Sequence, residues 1–301
     1  MSRNLIIDGN SLGYAAQHAT KLSSGGMETQ AVFGSMKTMR DLKATYRDFT
    51  PVVLWDGQAK WRYDIHPTYK ANRTDDPKKV AVKESYYLQR KYIKQCYEAL
   101  GIKQMTATTH EADDLAGILV AMLSSDPTNE IVLITGDKDW LQLVRPNVTW
   151  RDVRDDSRIV TVKNFFDKTG YKTPYAFLQG KALQGDSSDS IPGVGGIGEI
   201  GAAEFLAEFE SVRNFLQMCD SGEFKPVKKA HLRLCSAEGR MAFGRNLQLM
   251  QLLKVQAPRK EDTEILKGKF DPERFKALCE ELAFGSILSS LPVFMSIFQP
   301  S

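Results

Sequence analysis

Three short runs of large apolar residues stand out along the chain: Leu5-Ile6-Ile7, Val52-Val53-Leu54-Trp55 and Ile131-Val132-Leu133-Ile134. Uninterrupted runs of this length suit strands buried on both faces, as in a parallel sheet. Between them, apolar or small residues recur at helical spacing over Ala31 to Tyr46, Tyr86 to Leu100 and Glu111 to Leu123, the last with Thr109 as its candidate cap. Strands alternating with helices predict an α/β sheet domain. From about Val162 onward the pattern turns helical, broken by the glycine-rich stretch 192–201, and no further strand is evident. A boundary is therefore expected between about 160 and 180, and no internal repeat is visible.

The composition of the 301 residues, 42% hydrophobic and 26% charged, excludes disordered, collagen-like and low-complexity chains. The four cysteines, Cys96, Cys219, Cys235 and Cys279, are widely spaced, and with four histidines they form no zinc-type ligand pattern. They read as reduced thiols of a cytoplasmic protein. No stretch approaches the roughly 18 apolar residues of a membrane span, and the N-terminus lacks the apolar core of a signal peptide. Net charge is only +3, but ten Lys/Arg against four acids lie between Lys60 and Lys94, and nine against one between Lys225 and Lys260. Segregation of this kind suggests a polyanionic partner, although a solvated helix face is the commoner meaning of one such run.

Each predicted strand runs directly into acid: Asp8 after the first, Asp56 after the second, Asp137 and Asp139 after the third. Residues just past the carboxyl ends of parallel strands line the crevice where open sheets bind ligands. Any one of these could be a turn residue; three together are harder to dismiss. Glu111, Asp113 and Asp114 form a further cluster ahead of an apolar helical run, and Asp186 and Asp189 another ahead of the glycines. Nine converging carboxylates would repel one another unless cations were present. All-oxygen ligands select hard ions, Mg²⁺ or Mn²⁺, and two such ions suit hydrolysis of a phosphodiester.

The segment 61–73 interleaves Trp61, Tyr63 and Tyr69 with Arg62, Lys70 and Arg73. Aromatic faces stack on unpaired bases while the cations neutralise phosphates, so the mixture suits single-stranded nucleic acid; a loop with buried aromatics is the alternative. Following the Asp56 strand directly, Lys70 and Arg73 could lean over the crevice and stabilise charge on a phosphate. The amides of the turn carrying Gly193, Gly195, Gly196 and Gly198, which feeds a helix over Ala202 to Phe209, could hold a phosphate of the duplex backbone; a plain interhelical turn has the same signature.

Taken in order, Asp8-Gly-Asn, Trp-Asp56-Gly, Tyr69-Lys70-Ala-Asn-Arg73, Glu111-Ala-Asp113-Asp114, Thr-Gly-Asp137-Lys-Asp139-Trp and Gly-Asp186-Ser-Ser-Asp189-Ser-Ile-Pro-Gly-Val-Gly-Gly-Ile-Gly resemble the flap endonuclease and 5′-3′ exonuclease family. That family includes the N-terminal 5′ nuclease domain of bacterial DNA polymerase I and stand-alone phage enzymes; with no polymerase domain following, the chain looks like the stand-alone phage type. The resemblance implies an α/β, PIN-like nuclease domain over 1–170, with a central, mostly parallel sheet and a helical arch at about 60–95. It implies next a helical DNA-binding domain over 171–301, with a helix-three-turn-helix module at about 180–210 that holds K⁺. By motif position, Asp8, Asp56, Glu111 and Asp113 would hold one Mg²⁺ with Asp114 close by, and Asp137, Asp139, Asp186 and Asp189 the second; Mn²⁺ could substitute. Lys70 and Arg73 would act as electrostatic catalysts at the arch base, with Tyr69 stacking on the substrate.

The implied activity is hydrolysis near the 5′ end or flap of DNA or of an RNA-DNA hybrid, leaving 5′-phosphates and serving primer or flap removal in replication. The implied enzyme is a monomer, recruited by a sliding clamp, a single-strand-binding protein or a polymerase. Two positions depart from the family pattern: Ile200 stands where many relatives have Lys, and Ala15 where many have Arg. Near the end, 290–298 loosely resembles a clamp-binding peptide without its initial Gln; packing of a terminal apolar segment is the other reading. Two other functions compete, a PIN-type ribonuclease for single-stranded RNA and a non-catalytic DNA-binding module. The arch and glycine motifs argue against the first, and the intact set of nine carboxylates against the second.

Overall fold

The computed structural model describes residues 1–19, 21–72 and 77–299. Seven strands form one sheet: β1 (Arg3–Asp8), β2 (Thr50–Trp55), β3 (Lys103–Ala107), β4 (Glu130–Ile134), β5 (Val148–Arg151), β6 (Ile159–Val160) and β7 (Thr263–Leu266), in the order β7-β3-β2-β1-β4-β5-β6. The five central strands are mutually parallel, and the two edge strands run antiparallel to them. The three apolar runs are the three innermost strands, β2, β1 and β4. Leu5 and Ile7 pack into the core on one face of the sheet and Ile6 into the core on the other, which is why no polar residue interrupts them.

Helices cover both faces: α1 (Gly9–Gln17), α2 (Gln30–Thr45), α3 (Lys60–Ile65), α4 (Pro77–Ala99) and α5 (Ala112–Leu123). The helix expected from Tyr86 begins nine residues earlier, at Pro77, and the cap of α5 is Glu111, not Thr109. Glu111 and Asp114 bond reciprocally to each other's backbone amides, closing a capping box that uses the cluster's own acids.

Between residues 171 and 250 come five α-helices, Pro174–Gln184, Glu199–Phe209, Val212–Asp220, Lys229–Cys235 and Ala237–Met250. Their apolar residues Phe205, Phe209, Phe215 and Leu234 belong to the same core as Ile6, Leu54 and Leu133 of the sheet. A strand then interrupts the helices: β7 pairs with β3, and the closing helices Pro272–Glu281, Gly285–Leu288 and Leu291–Ser296 follow it, with Phe275, Phe284, Phe294 and Phe298 packed on the opposite face with Leu5, Ile7 and Trp55. The expectation of one helical unit over 171–301 is therefore corrected, since the last forty residues complete the sheet domain. Of the two readings of 290–298, packing is the one the structure favours, because the side chains of Phe294, Met295 and Phe298 are buried in that core. Among the described residues, no helix is long and apolar enough to cross a membrane.

Candidate active site

Strand register sets the site. Asp8, the last residue of β1, pairs with Leu54 of β2, which places Asp56 two residues beyond it, and Ile7 pairs with Ile134 of β4, which places Thr135 level with Asp8 and Asp137 just past it. Asp8 caps α1, accepting from Ser11 N and Thr135 Oγ1, each at 2.9 Å. Asp56 Oδ2 accepts from Asn10 Nδ2 over 2.7 Å and Oδ1 from Ala112 N over 2.8 Å, so it ties β2 to the start of α5. Gly57 follows because a Cβ there would stand 1.8 Å from Ala107 O, where the chain leaving β3 crosses. Asp113 accepts from Trp140 Nε1 over 2.6 Å, and Asp137 Oδ1 caps the short helix Lys138–Leu143 through Asp139 N over 2.7 Å.

Eight of the nine predicted carboxylates, Asp114 being the exception, line one open cleft of about 720 Å³ together with Lys70 and Lys181. Asp114 faces away from it. The side chain is fully buried, its two oxygens are taken by the fork of Arg62 at 2.6 and 2.9 Å, and Oδ2 also accepts from Glu111 N. Its expected place beside a metal is corrected to a structural one: the acid that closes the capping box must turn back along the helix.

Tyr69 is also reassigned. Its ring is 3% exposed, packed edge-on against Tyr63 in a core with Leu178 and Met250, so neither face is open to a base. Its hydroxyl instead lies 3.0 Å from both Glu111 Oε2 and Asp189 Oδ2, joining two of the acids. Lys70 reaches Glu111 Oε1, which places one of the two expected cations in the cleft. Arg73 lies outside the described residues.

The acids do not titrate as free carboxyls. Burial, with Asp56 nearby, pushes Asp8 up to about 7. Burial together with Asp137, Asp56 and Asp8 holds Asp113 well above the usual range. Asp137 reaches the surface of the cleft, yet poor solvation and the neighbouring Asp139 push it up to about 6. Asp186 is the contrast: despite partial burial it is held low by bonds from Ser188 and Lys181. Crowded carboxyls that resist ionisation signal a site short of positive charge. Lys181 supplies part of it, its ammonium 3.0 Å from both Asp139 Oδ1 and Asp186 Oδ2. Among the described residues no three acids are gathered into a finished ligand set; several of their oxygens are held instead by Lys70, Lys181, Asn10 and Trp140. The donor chemistry still fits a hard divalent cation, because oxygens alone face the cleft from the acid side and the deficit is of positive charge.

Sequence reasoning missed Lys181, which stands five residues before Asp186 on its own helix, and Arg154, which borders the cleft beside Gly136. It also misjudged Arg62, which is buried beneath the acids and not presented to a ligand. Only the Arg62-Asp114 spacing across 52 residues would have shown this, and nothing local encodes it.

At the glycine turn, Gly195 and Gly196 have φ of +103° and +75°, a backbone that other residues rarely adopt. The Arg233 side chain lies against Gly195, so a cation flanks the turn. Gly198 caps the following helix, which starts at Glu199, three residues before the expected Ala202, and Ile200 in its first turn is 77% exposed. Gly193 packs its backbone against Gln184 O.

Residues 3–170 match the model of the 5′-3′ exonuclease N-terminal, resolvase-like domain, and residues 172–267 match that of the 5′-3′ exonuclease C-terminal SAM fold. The fold is thus one of a 5′-3′ exonuclease N-terminal domain followed by its C-terminal SAM fold. The chain belongs to the 5′-3′ exonuclease family. It is 33% identical to the thermostable DNA polymerase I of Thermus filiformis over 290 residues, 95% of this chain and 33% of that protein. With DNA polymerase I of Chloroflexus aurantiacus the identity is 32%, over 96% of this chain and 30% of that one. The chain thus spans about a third of the length of these curated relatives. In structure it resembles the bacteriophage T5 flap endonuclease, solved as a pseudo-enzyme-product complex with DNA and metal ions, with a TM-score of 0.70 at 21% identity over 98% of this chain and 99% of that one. The T5 5′-exonuclease with bound zinc gives 0.69 at 21% identity, over 99% and 100% of the two chains.

Proposed function

We propose that this chain is a structure-specific 5′ nuclease that hydrolyses phosphodiester bonds near 5′ ends and flaps of DNA or RNA-DNA hybrids, leaving 5′-phosphates. The observation that carries this reading is the gathering of eight carboxylates, from four successive sheet-strand exits and one hairpin, in a single cleft with Lys70. Asp8, Asp56, Glu111 and Asp113 as one set, and Asp137, Asp139, Asp186 and Asp189 as a second, are the residues that would hold two Mg²⁺ or Mn²⁺. Such ions would supply an electrophile for the phosphate and a more acidic water.

The chain's own groups bind and orient. Lys70 stabilises charge developing on the phosphate, with Arg73 as its expected companion. The amides from Gly193 to Gly198, flanked by Arg233, hold the duplex backbone. Residues 190–198 contain no carboxylate, so a cation in this turn would be held by carbonyl and hydroxyl oxygens, which suits K⁺ better than a divalent ion. The chemistry fits a monomer at junctions created during primer or flap removal, alongside a single-strand-binding protein or a polymerase.

The decisive experiment compares a labelled 5′-flap DNA with the matching single strand, in Mg²⁺ and in EDTA. Mg²⁺-dependent cutting near the junction, with the single strand much slower, is the expected result. Binding without cutting in both Mg²⁺ and Mn²⁺ would overturn it.

A further inference from the structure

Residues 66–72, at the foot of α4, are fastened to residues 187–190, between Asp186 and the glycine turn. Lys70 N donates to Asp189 O over 2.8 Å, Asn72 N donates to Ser190 Oγ over 3.0 Å, and His66 Nε2 lies 2.8 Å from Ser190 O. The Asn72 side-chain amide donates to Ser187 O. At the centre of this seam stand two residues with left-handed backbones and no glycine between them, Lys70 at φ +59° and Ser190 at φ +57°. That conformation is unfavourable for an ordinary residue and persists only where the surroundings enforce it. Here each kink is held by bonds to the other segment.

We infer that Ser190 is a positioning residue for Lys70, coupling the glycine turn to the cation above the carboxylates. The backbone amide of Lys70 is pinned beside Ser190 while its ammonium reaches Glu111, so the kink fixes where the side chain starts. On the other side, Ile191 pairs with Asp186 in the short ladder Gly185–Asp186 with Ile191–Pro192, from which the glycine turn departs. A duplex pressed against that turn therefore acts on the strand that holds Lys70 in register. The inference rests on the role proposed above for Lys70.

Its test is single-turnover cleavage of 5′-flap DNA at saturating enzyme by Ser190→Gly, Ser190→Ala, Lys70→Ala and the Ser190→Gly/Lys70→Ala double variant. Ser190→Gly removes the whole side chain but leaves the left-handed backbone freely accessible, so folding is spared; Ser190→Ala removes only the hydroxyl and keeps the strained kink without the Asn72 bond that helps hold it. The expected result is a loss of about fivefold for Gly and tenfold or more for Ala, with flap affinity within about twofold, because small misplacements of a reacting group act on the chemical step. In the Lys70→Ala background, Ser190→Gly should cause no further loss. An equal loss in both backgrounds, or a wild-type rate for Ser190→Gly, overturns the inference and leaves the role of Lys70 standing. A wild-type rate for Lys70→Ala removes that role, and the inference with it.

Discussion

Arg62 and Asp114 meet as a fork on a carboxylate, Nη2 to Oδ1 at 2.6 Å and Nη1 to Oδ2 at 2.9 Å, with 3% of Arg62 and none of Asp114 exposed. The same guanidinium reaches Glu111 Oε2 at 3.2 Å and Leu249 O at 3.1 Å, joining α3, α5 and the helix Ala237–Met250 under the cleft. One residue thus fixes the backbone from which Glu111 projects. Removing one member of a buried pair strands the other's charge, so Arg62→Ala should cost about 3–5 kcal/mol, read as a lower urea midpoint. Replacing both, as Arg62→Met with Asp114→Leu, should cost less than the single change. A midpoint unmoved by Arg62→Ala would show that the pair contributes little to folding.

Asp137→Asn separates catalysis from folding. Asn keeps an oxygen to cap Asp139 N while removing one negative charge from a site already crowded with acid. Because Asp137 is harder to ionise folded than unfolded, its charge opposes folding near neutral pH, so the variant in EDTA should melt at or above the wild-type temperature. Its cleavage of flap DNA in Mg²⁺ should fall by at least about a hundredfold, with affinity for the DNA kept. Wild-type cleavage by this variant would remove Asp137 from the proposed ligands.

The pattern of the chain showed the inner strands and the acids for one physical reason. A strand buried on both faces must be apolar throughout, and its exit must be polar, so Leu5-Ile6-Ile7 and Asp8 announce each other. The outer strands gave no such signal. In β3 the buried Gln104 is satisfied by Trp55 Nε1 and Lys94 O, each at 2.9 Å, so a core position looks polar in the sequence. In β7 one side faces solvent, with Ile265 48% exposed, and pairing comes from a segment more than 150 residues away. Tyr69 misled for a similar cause: an aromatic beside Lys70 looks like a stacking platform until the fold brings Glu111 and Asp189 to its hydroxyl.

His231 makes the helical region sensitive to mild acid. Its ring is buried among Phe205, Phe209 and Phe215, with their ring centres 5.2 to 5.7 Å from its own, and burial lowers its pKa below the usual 6.5. The unfolded chain therefore takes up the proton first. Stability is complete above about pH 6.5 and is lost as pH falls from there through the folded-state value. His231→Phe should flatten that dependence, measured as a smaller fall in melting temperature between pH 7.5 and pH 5.5 than in the wild type. Equal falls in both proteins would place the acid sensitivity elsewhere.

The chain end supplies the last test. Phe294 is 2% exposed, lies 5.4 Å from Phe275 in a stacked pair, and carries the Arg40 guanidinium 5.9 Å from its ring centre. A clamp-binding peptide must present such side chains outward, whereas here only Val293 of the helix Leu291–Ser296 is substantially exposed among its large apolar residues, at 71%. Phe294→Ala should therefore cost about 3–5 kcal/mol through the lost burial and the cavity left beside Phe275. Deleting residues 290–301 should go further, because the face of the sheet carrying Leu5, Ile7 and Trp55 would lose part of its cover. Both effects are read from the urea midpoint without any partner present. A truncated protein with wild-type stability that has lost affinity for a bacterial sliding clamp would reverse this assignment and make the segment a recruitment peptide.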